Sequence, residues 1–280
     1  MEIKQRGNAL GHNIILFMYK VLGYRFVAFF LNFVALYYVL FTPNVKRSLK
    51  SYYQHQGIEL TNKTYFNHIK IFALSIFDRF VSRIKQDELS FERFNVEVID
   101  ELQDGGVVLL SHVGSWATAT NILVNKFPMM NIVMRENTKE DINKVEESSK
   151  RANAELIKII DLNKGAIAAN IQIANALMAK ELVALMADRV VDVKQSIEVE
   201  FFGSLVKINK NPFDIALRLK KPLAAIFVMN AELKKYNISL HIINEDTIQK
   251  MAQNYATLLE ETMKKYPNQW YNFYNFFQES

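Results

Sequence analysis

The chain has 280 residues, 50% of them hydrophobic, with 20 Phe, 12 Tyr and no cysteine. That composition excludes a disordered chain, and the missing cysteine excludes thiol catalysis, disulfides and a zinc–thiolate site. The formal net charge of +5 and a pI near 9.1 favour an acidic partner: nucleic acid, anionic lipid or an acidic carrier protein.

The N-terminus is the first distinctive segment. Ile14–Phe41 is apolar and aromatic, interrupted by Lys20, Arg25 and Asn32, and its longest charge-free stretch, Phe26–Phe41, has 16 residues. A spanning helix needs about 20, and no small-residue cleavage site follows, so neither a simple span nor a cleaved signal is predicted. Thr42-Pro43 fits a helix start, and the helix it opens carries Lys46, Arg47 and Lys50. An apolar helix beside a basic one suits a chain lying in the headgroup region of an anionic leaflet; a helical hairpin packed on the rest of the protein is the alternative. Asn62–Ile84 then sets Tyr65, Ile69, Phe72, Ile76, Phe80 and Ile84 at three- and four-residue steps, the pattern of an amphipathic helix.

From about Phe94 strands and helices alternate. The predicted strands are Val96–Ile99, Val107–Leu110, Asn131–Arg135, Leu156–Ile160, Leu182–Ala187, Ile197–Phe201, Leu223–Val228 and Ile238–Ile242. The predicted helices are Trp116–Asn125, Glu140–Ala154, Ala168–Met178, Pro212–Leu219 and Thr247–Lys265. The expected fold is α/β, a largely parallel sheet flanked by helices. An N-terminal helical, membrane-associating region over residues 1–90 precedes an α/β domain over 91–280.

Three apolar strands end in polar groups. Val107–Leu110 runs into Ser111-His112 with Gly114 close behind, Ile132–Met134 into Arg135, and Leu182–Ala187 into Asp188-Arg189. In an open α/β sheet, ligands bind beyond the carboxyl ends of the strands. His112 is therefore a candidate base, since neutral imidazole accepts a proton near pH 7. If the three strands are parallel neighbours, a His, a carboxylate and two guanidiniums converge, enough for proton abstraction and anion binding. Each residue alone also reads as a surface or capping group. The five histidines are scattered, which argues against a metal site. Nucleic acid is disfavoured as a partner because the basic residues are dispersed and no zinc-finger or RNP-like pattern appears.

Six pieces follow one another along nearly the whole chain. They are Arg6-Gly7 with Leu10-Gly11, Ser111-His112-Val113-Gly114-Ser115-Trp116, Met186-Ala187-Asp188-Arg189-Val190, Val199-Glu200-Phe201-Phe202-Gly203, Asn211-Pro212-Phe213, and Trp270-Tyr271-Asn272-Phe273-Tyr274. In this order and spacing they resemble the lysophospholipid-acyltransferase superfamily, in particular the bacterial branch that includes the late acyltransferases of lipid A and acyltransferases found beside polyene-lipid genes. The resemblance implies transfer of a fatty acyl group from acyl-CoA or an acyl carrier protein to a hydroxyl of a lipid or glycolipid, with His112 as general base and no bound cofactor or metal. It places the chain at the cytoplasmic face of the bacterial inner membrane, peripheral or N-terminally anchored.

One departure stands out. The family pattern has Asp or Glu five positions after the His, to orient it and support its cationic form; here Ala117 stands there, followed by Thr118. Either Asp188 supplies the carboxylate, or the chain is a degenerate acyltransferase kept for lipid or carrier binding. Further roles follow from the resemblance. Arg135 would bind an acceptor phosphate, while backbone amides of Val113–Ser115, with Ser115 in that loop, would hold the oxyanion together with Arg189. Phe202 and Gly203 would shape an acyl groove, Gly203 by letting the backbone approach closely. Lys207, Lys210, Arg218, Lys220 and Lys221 would face a phosphopantetheine or an acidic carrier. Trp270–Phe277 would close onto the domain or the lipid. Ser111 or Ser115 as nucleophile is the rival chemistry, but the segment lacks the G-x-S-x-G elbow.

Overall fold

A computed structural model describes residues 9–94, 96–115, 129–134, 157–190 and 192–277. Four helices come first: α1 Ala9–Leu22, α2 Tyr24–Phe41, α3 Pro43–His55 and α4 Asn62–Ile84. Thr42 stands before Pro43 as expected, but its hydroxyl donates to the Tyr38 carbonyl (2.6 Å) and closes α2 instead of capping α3. α4 starts on a true cap, the Thr64 amide donating to Thr61 Oγ1 at 3.1 Å. Its buried face follows the predicted spacing only in its first half. Tyr65 and Ile69 enter one core and Leu74, Phe77 and Val81 the other, so the helix changes partner midway and leaves Ile76 and Ile84 exposed.

The strands are β1 Ser90–Phe94, β2 Gly106–Leu110, β3 Met130–Met134, β4 Ile157–Asp161, β5 Leu182–Met186, β6 Ser196–Phe201, β7 Ser204–Asn209, β8 Leu223–Glu232 and β9 Lys235–Ile242. Three more helices are described: α5 Ala166–Met178, α6 Asn211–Arg218 and α7 Ile248–Lys265. Seven strands form one sheet in the order β1-β9-β8-β2-β5-β3-β4. β4, β3, β5, β2 and β8 are parallel, β9 is antiparallel to β8, and β1 runs parallel to β9. The α/β class and largely parallel sheet are as expected. Two corrections apply to the strands. Val96–Ile99 is not a strand but part of a 3-10 helix over Val96–Leu102, and β1, just before it, takes the sheet edge. Ile197–Phe201 belongs to β6, which pairs only with the unpredicted β7 as a separate antiparallel hairpin. The predicted helices Trp116–Asn125 and Glu140–Ala154 lie outside the described residues.

Both faces of the sheet are covered, which is why its central strands read as unbroken apolar runs. Val107 and Leu109 face a core shared with α3, α5, α6 and α7, whereas Val108 and Leu110 face one shared with α1, α2 and α4. By length and composition α2 is long and apolar enough to cross a bilayer. One side of it, Tyr24, Val27, Leu31 and Ala35, is nevertheless buried in the protein.

Candidate active site

The register of β2 with β5 builds the site. The strands pair Gly106 with Leu182 through Leu110 with Met186, and the same offset carried two residues further sets His112 opposite Asp188. The side chains meet there: His112 Nδ1 lies 2.9 Å from Asp188 Oδ1, and the His112 amide donates to Asp188 Oδ2 at 2.9 Å. The backbone leaves β2 through Gly114 at φ 56°, where a Cβ would fall 2.1 Å from the Val228 carbonyl oxygen. Only glycine fits so close to β8.

Asp188 is fully buried and the His112 side chain is 25% exposed. Burial by itself would raise the Asp188 pKa. The charge of His112 and the hydrogen bonds from His112 and Asn272 outweigh it and hold the carboxyl below its ordinary range. An ionised Asp188 accepts the Nδ1–H proton, which leaves the Nε2 lone pair as the basic atom. Among the described residues Nε2 makes no hydrogen bond. This is the arrangement of a base oriented by a carboxylate.

The chain's C-terminal segment completes the enclosure. Val113 forms an antiparallel bridge with Trp270, the Tyr271 amide donates to His112 O at 2.8 Å, and the Gly114 amide to Gln269 O at 3.0 Å. Asn272, fully buried, donates through Nδ2 to Asp188 Oδ2 at 2.8 Å. Arg189 donates through Nε to Asn272 Oδ1 at 2.5 Å and through Nη2 to Tyr271 O at 3.1 Å, with its guanidinium 5.6 Å from the Tyr274 ring centre. The sequence places Asn272 in a segment expected to close onto the domain or the lipid and assigns it no role of its own. The signal was there: an amide inside a run of aromatic residues has to find partners.

The other predicted residues fare unevenly. β3 neighbours β5 as expected, but Arg135 lies outside the described residues, as do Ala117 and Thr118. Two of the three amides expected to hold an oxyanion are already engaged, Gly114 with Gln269 and Ser115 with the Val228 carbonyl at 2.7 Å. Ser115 is buried. Ser111 is also buried, its hydroxyl turned to Tyr255 OH at 2.7 Å. Phe202 and Gly203 form the β6–β7 turn, both with positive φ (49° and 71°), as a two-residue hairpin of the primed type requires. Gly203 has no protein atom within 4 Å of a built Cβ, so within the protein it is its φ that calls for glycine. The Phe202 ring meets Phe201 and Tyr52 at 4.7 and 6.3 Å, and Phe201 stacks on Trp270 at 5.7 Å.

The basic cluster does not gather on one face. The Asn209 amide donates to Ala187 O, which puts Lys207 and Lys210 near the site end of β5. The Val107 amide donates to Pro222 O, which puts Lys220 and Lys221 at the opposite end of the sheet. Arg218 pairs with Asp214 at 2.9 Å. Among the described residues no group of acidic, His or Cys side chains could hold a metal ion.

Residues 65–279 match the family described as bacterial lipid A biosynthesis acyltransferase. No curated protein matches the chain.

Proposed function

Because this chain belongs to the bacterial lipid A biosynthesis acyltransferase family, we propose that it moves a fatty acyl group from a thioester, on coenzyme A or an acyl carrier protein, to a hydroxyl of a membrane lipid or glycolipid. Acyl transfer to a lipid acceptor is what family membership gives; the donor, the O-acylation and the residue roles are this reading's own. The observation that carries it is the His112–Asp188 pair at 2.9 Å.

His112 Nε2 takes the proton of the acceptor hydroxyl, and the oxygen attacks the thioester carbonyl. The carbon–sulfur bond breaks, and the departing thiolate takes the proton back from the imidazolium. Asp188 stabilises that cation and fixes the ring, the work the family assigns to the carboxylate that Ala117 replaces. No residue forms a covalent intermediate, and no bound cofactor enters the scheme.

The same reading places the helices over residues 1–90 against the cytoplasmic face of the inner membrane, with residues 91–280 as the catalytic unit. The support is a one-sided exposed face on α2 (Phe26, Phe29, Phe33, Leu36, Tyr37, Leu40 and Phe41) beside exposed Arg47 and Lys50 on α3. A helix with its other face in the protein core lies on a membrane more readily than through one.

The test is one assay with acyl-CoA and acyl-carrier donors. His112→Ala should abolish transfer, and Asp188→Asn should lower kcat by about 100-fold or more, since Asn cannot stabilise the imidazolium. Ala117→Glu should give no gain. A nearly inactive wild type restored by Ala117→Glu would instead establish the degenerate lipid- or carrier-binding reading. An active wild type indifferent to Asp188→Asn would remove Asp188 from the mechanism.

A further inference from the structure

We infer that Asn272 is a positioning residue for the acyl transfer, holding Asp188 in the ionised, oriented state that makes His112 a base. The inference rests on the His112–Asp188 reading above, and it adds a residue from a distant part of the chain.

The geometry leaves Asn272 one way round. Its Oδ1 receives the Arg189 Nε–H at 2.5 Å, and a guanidinium has only donors to offer. The amide oxygen is therefore fixed on Arg189, and the NH2 group must face Asp188 Oδ2, 2.8 Å away. Asp188 thus has three donors: His112 Nδ1–H on Oδ1, and the His112 amide and Asn272 Nδ2 on Oδ2. Two come from the residue being oriented, so Asn272 is the independent one. With Oδ2 held from both sides, Oδ1 is left directed at the imidazole. A buried carboxylate with fewer donors keeps more of its charge for the imidazole, and so holds the imidazolium proton more tightly.

The other charged or titratable groups around Asp188 do not compete. Arg189 reaches it through Asn272. Tyr255 on α7 and Tyr274 in the C-terminal segment are pushed up, first by burial and then by the charge of Asp188, and stay neutral.

Two variants separate positioning from packing. Asn272→Leu keeps the branched outline, with bulkier methyl groups, and removes the donor. Asn272→Asp keeps the Arg189 contact and replaces a donor by a second carboxyl group facing Asp188. Each is read by NMR titration of the His112 ring, which needs no turnover, and by the pH profile of kcat/KM. In both variants the midpoint of the ring titration should move to higher pH, by about one unit in Asn272→Asp. The acid limb of kcat/KM should follow it, and kcat should fall about tenfold or more with KM little changed.

Folded variants whose His112 titrates as in wild type would overturn the proposal, as would failure of both to fold, which would make Asn272 a packing residue. Full activity of His112→Ala is a different result. It would remove the catalytic reading and leave the ring titration to decide whether Asn272 governs the pair.

Discussion

Gly114 shows how little freedom the site loop has. Any side chain there starts 2.1 Å from the Val228 oxygen, at a backbone angle that favours glycine. Gly114→Ala should therefore destabilise the protein by about 2–4 kcal/mol, read as a lower urea midpoint; an unchanged midpoint would show that β8 yields. At this scale His112 and Asp188 were legible because each ends an apolar run, and adjacent parallel strands in constant register bring such ends together. Asn272 was legible only as an amide in need of partners, not as a partner of Asp188. Its role exists only through Asp188, 84 residues earlier, and nothing local marks that contact. The positive φ of Gly203 in the β6–β7 turn is likewise something a motif letter does not reveal.

Among the elements, α2 carries the clearest exposed consequence. Phe29 and Phe33 are 61% and 55% exposed, while Val27 and Leu31 on the opposite side are buried. Replacing both with Ser should lower affinity for anionic vesicles by about 100-fold through lost apolar contact and leave the thermal midpoint unchanged. Equal flotation of variant and wild type would sink the membrane role of this face. This pair tests it more cleanly than deletion of the N-terminus, because α3 contributes Leu49, Tyr52 and Tyr53 to the core. The elements most legible in sequence were strands buried on both faces, β2 and β5 above all. β1 and β7 escaped because Ser-Phe-Glu-Arg-Phe and Ser-Leu-Val-Lys-Ile-Asn mix polar and apolar residues at strand edges, where pairing partners and not composition decide the conformation. The 3-10 segment over Val96–Leu102 is the reverse case, alternation without a partner strand.

On the scale of the whole molecule, the helical layer and the sheet are tied by a buried carboxylate. Asp78 of α4 accepts the Tyr24 hydroxyl of α2 at 2.7 Å and the Tyr236 hydroxyl of β9. Burial raises its pKa from 3.8 to about 6, against the lowering effect of the tyrosine hydrogen bonds and of Lys234. Between those two values the folded protein binds a proton that the unfolded chain does not, so this group stabilises the fold at low pH and its contribution is lost as pH rises through about 4 to 6. Compared with Asp78→Asn, which does not titrate, wild type should lose about 3 kcal/mol of urea-unfolding free energy between about pH 4 and pH 7; parallel stability curves would contradict it.

The sheet order has one more consequence, for the nascent chain. β2 lies between β5 and β8, β1 pairs Ser90 with Lys235 of β9, and Asp188 binds residues 112 and 272. At ribosomal speeds the stretch from His112 to Asn272 takes on the order of ten seconds to emerge. Through that interval α1 to α4 are already outside the ribosome with an apolar face and no sheet to cover its inner side, while β2 waits for both neighbours. Translation therefore presents the apolar N-terminal helices to their surroundings well before His112 and Asp188 have their full set of partners.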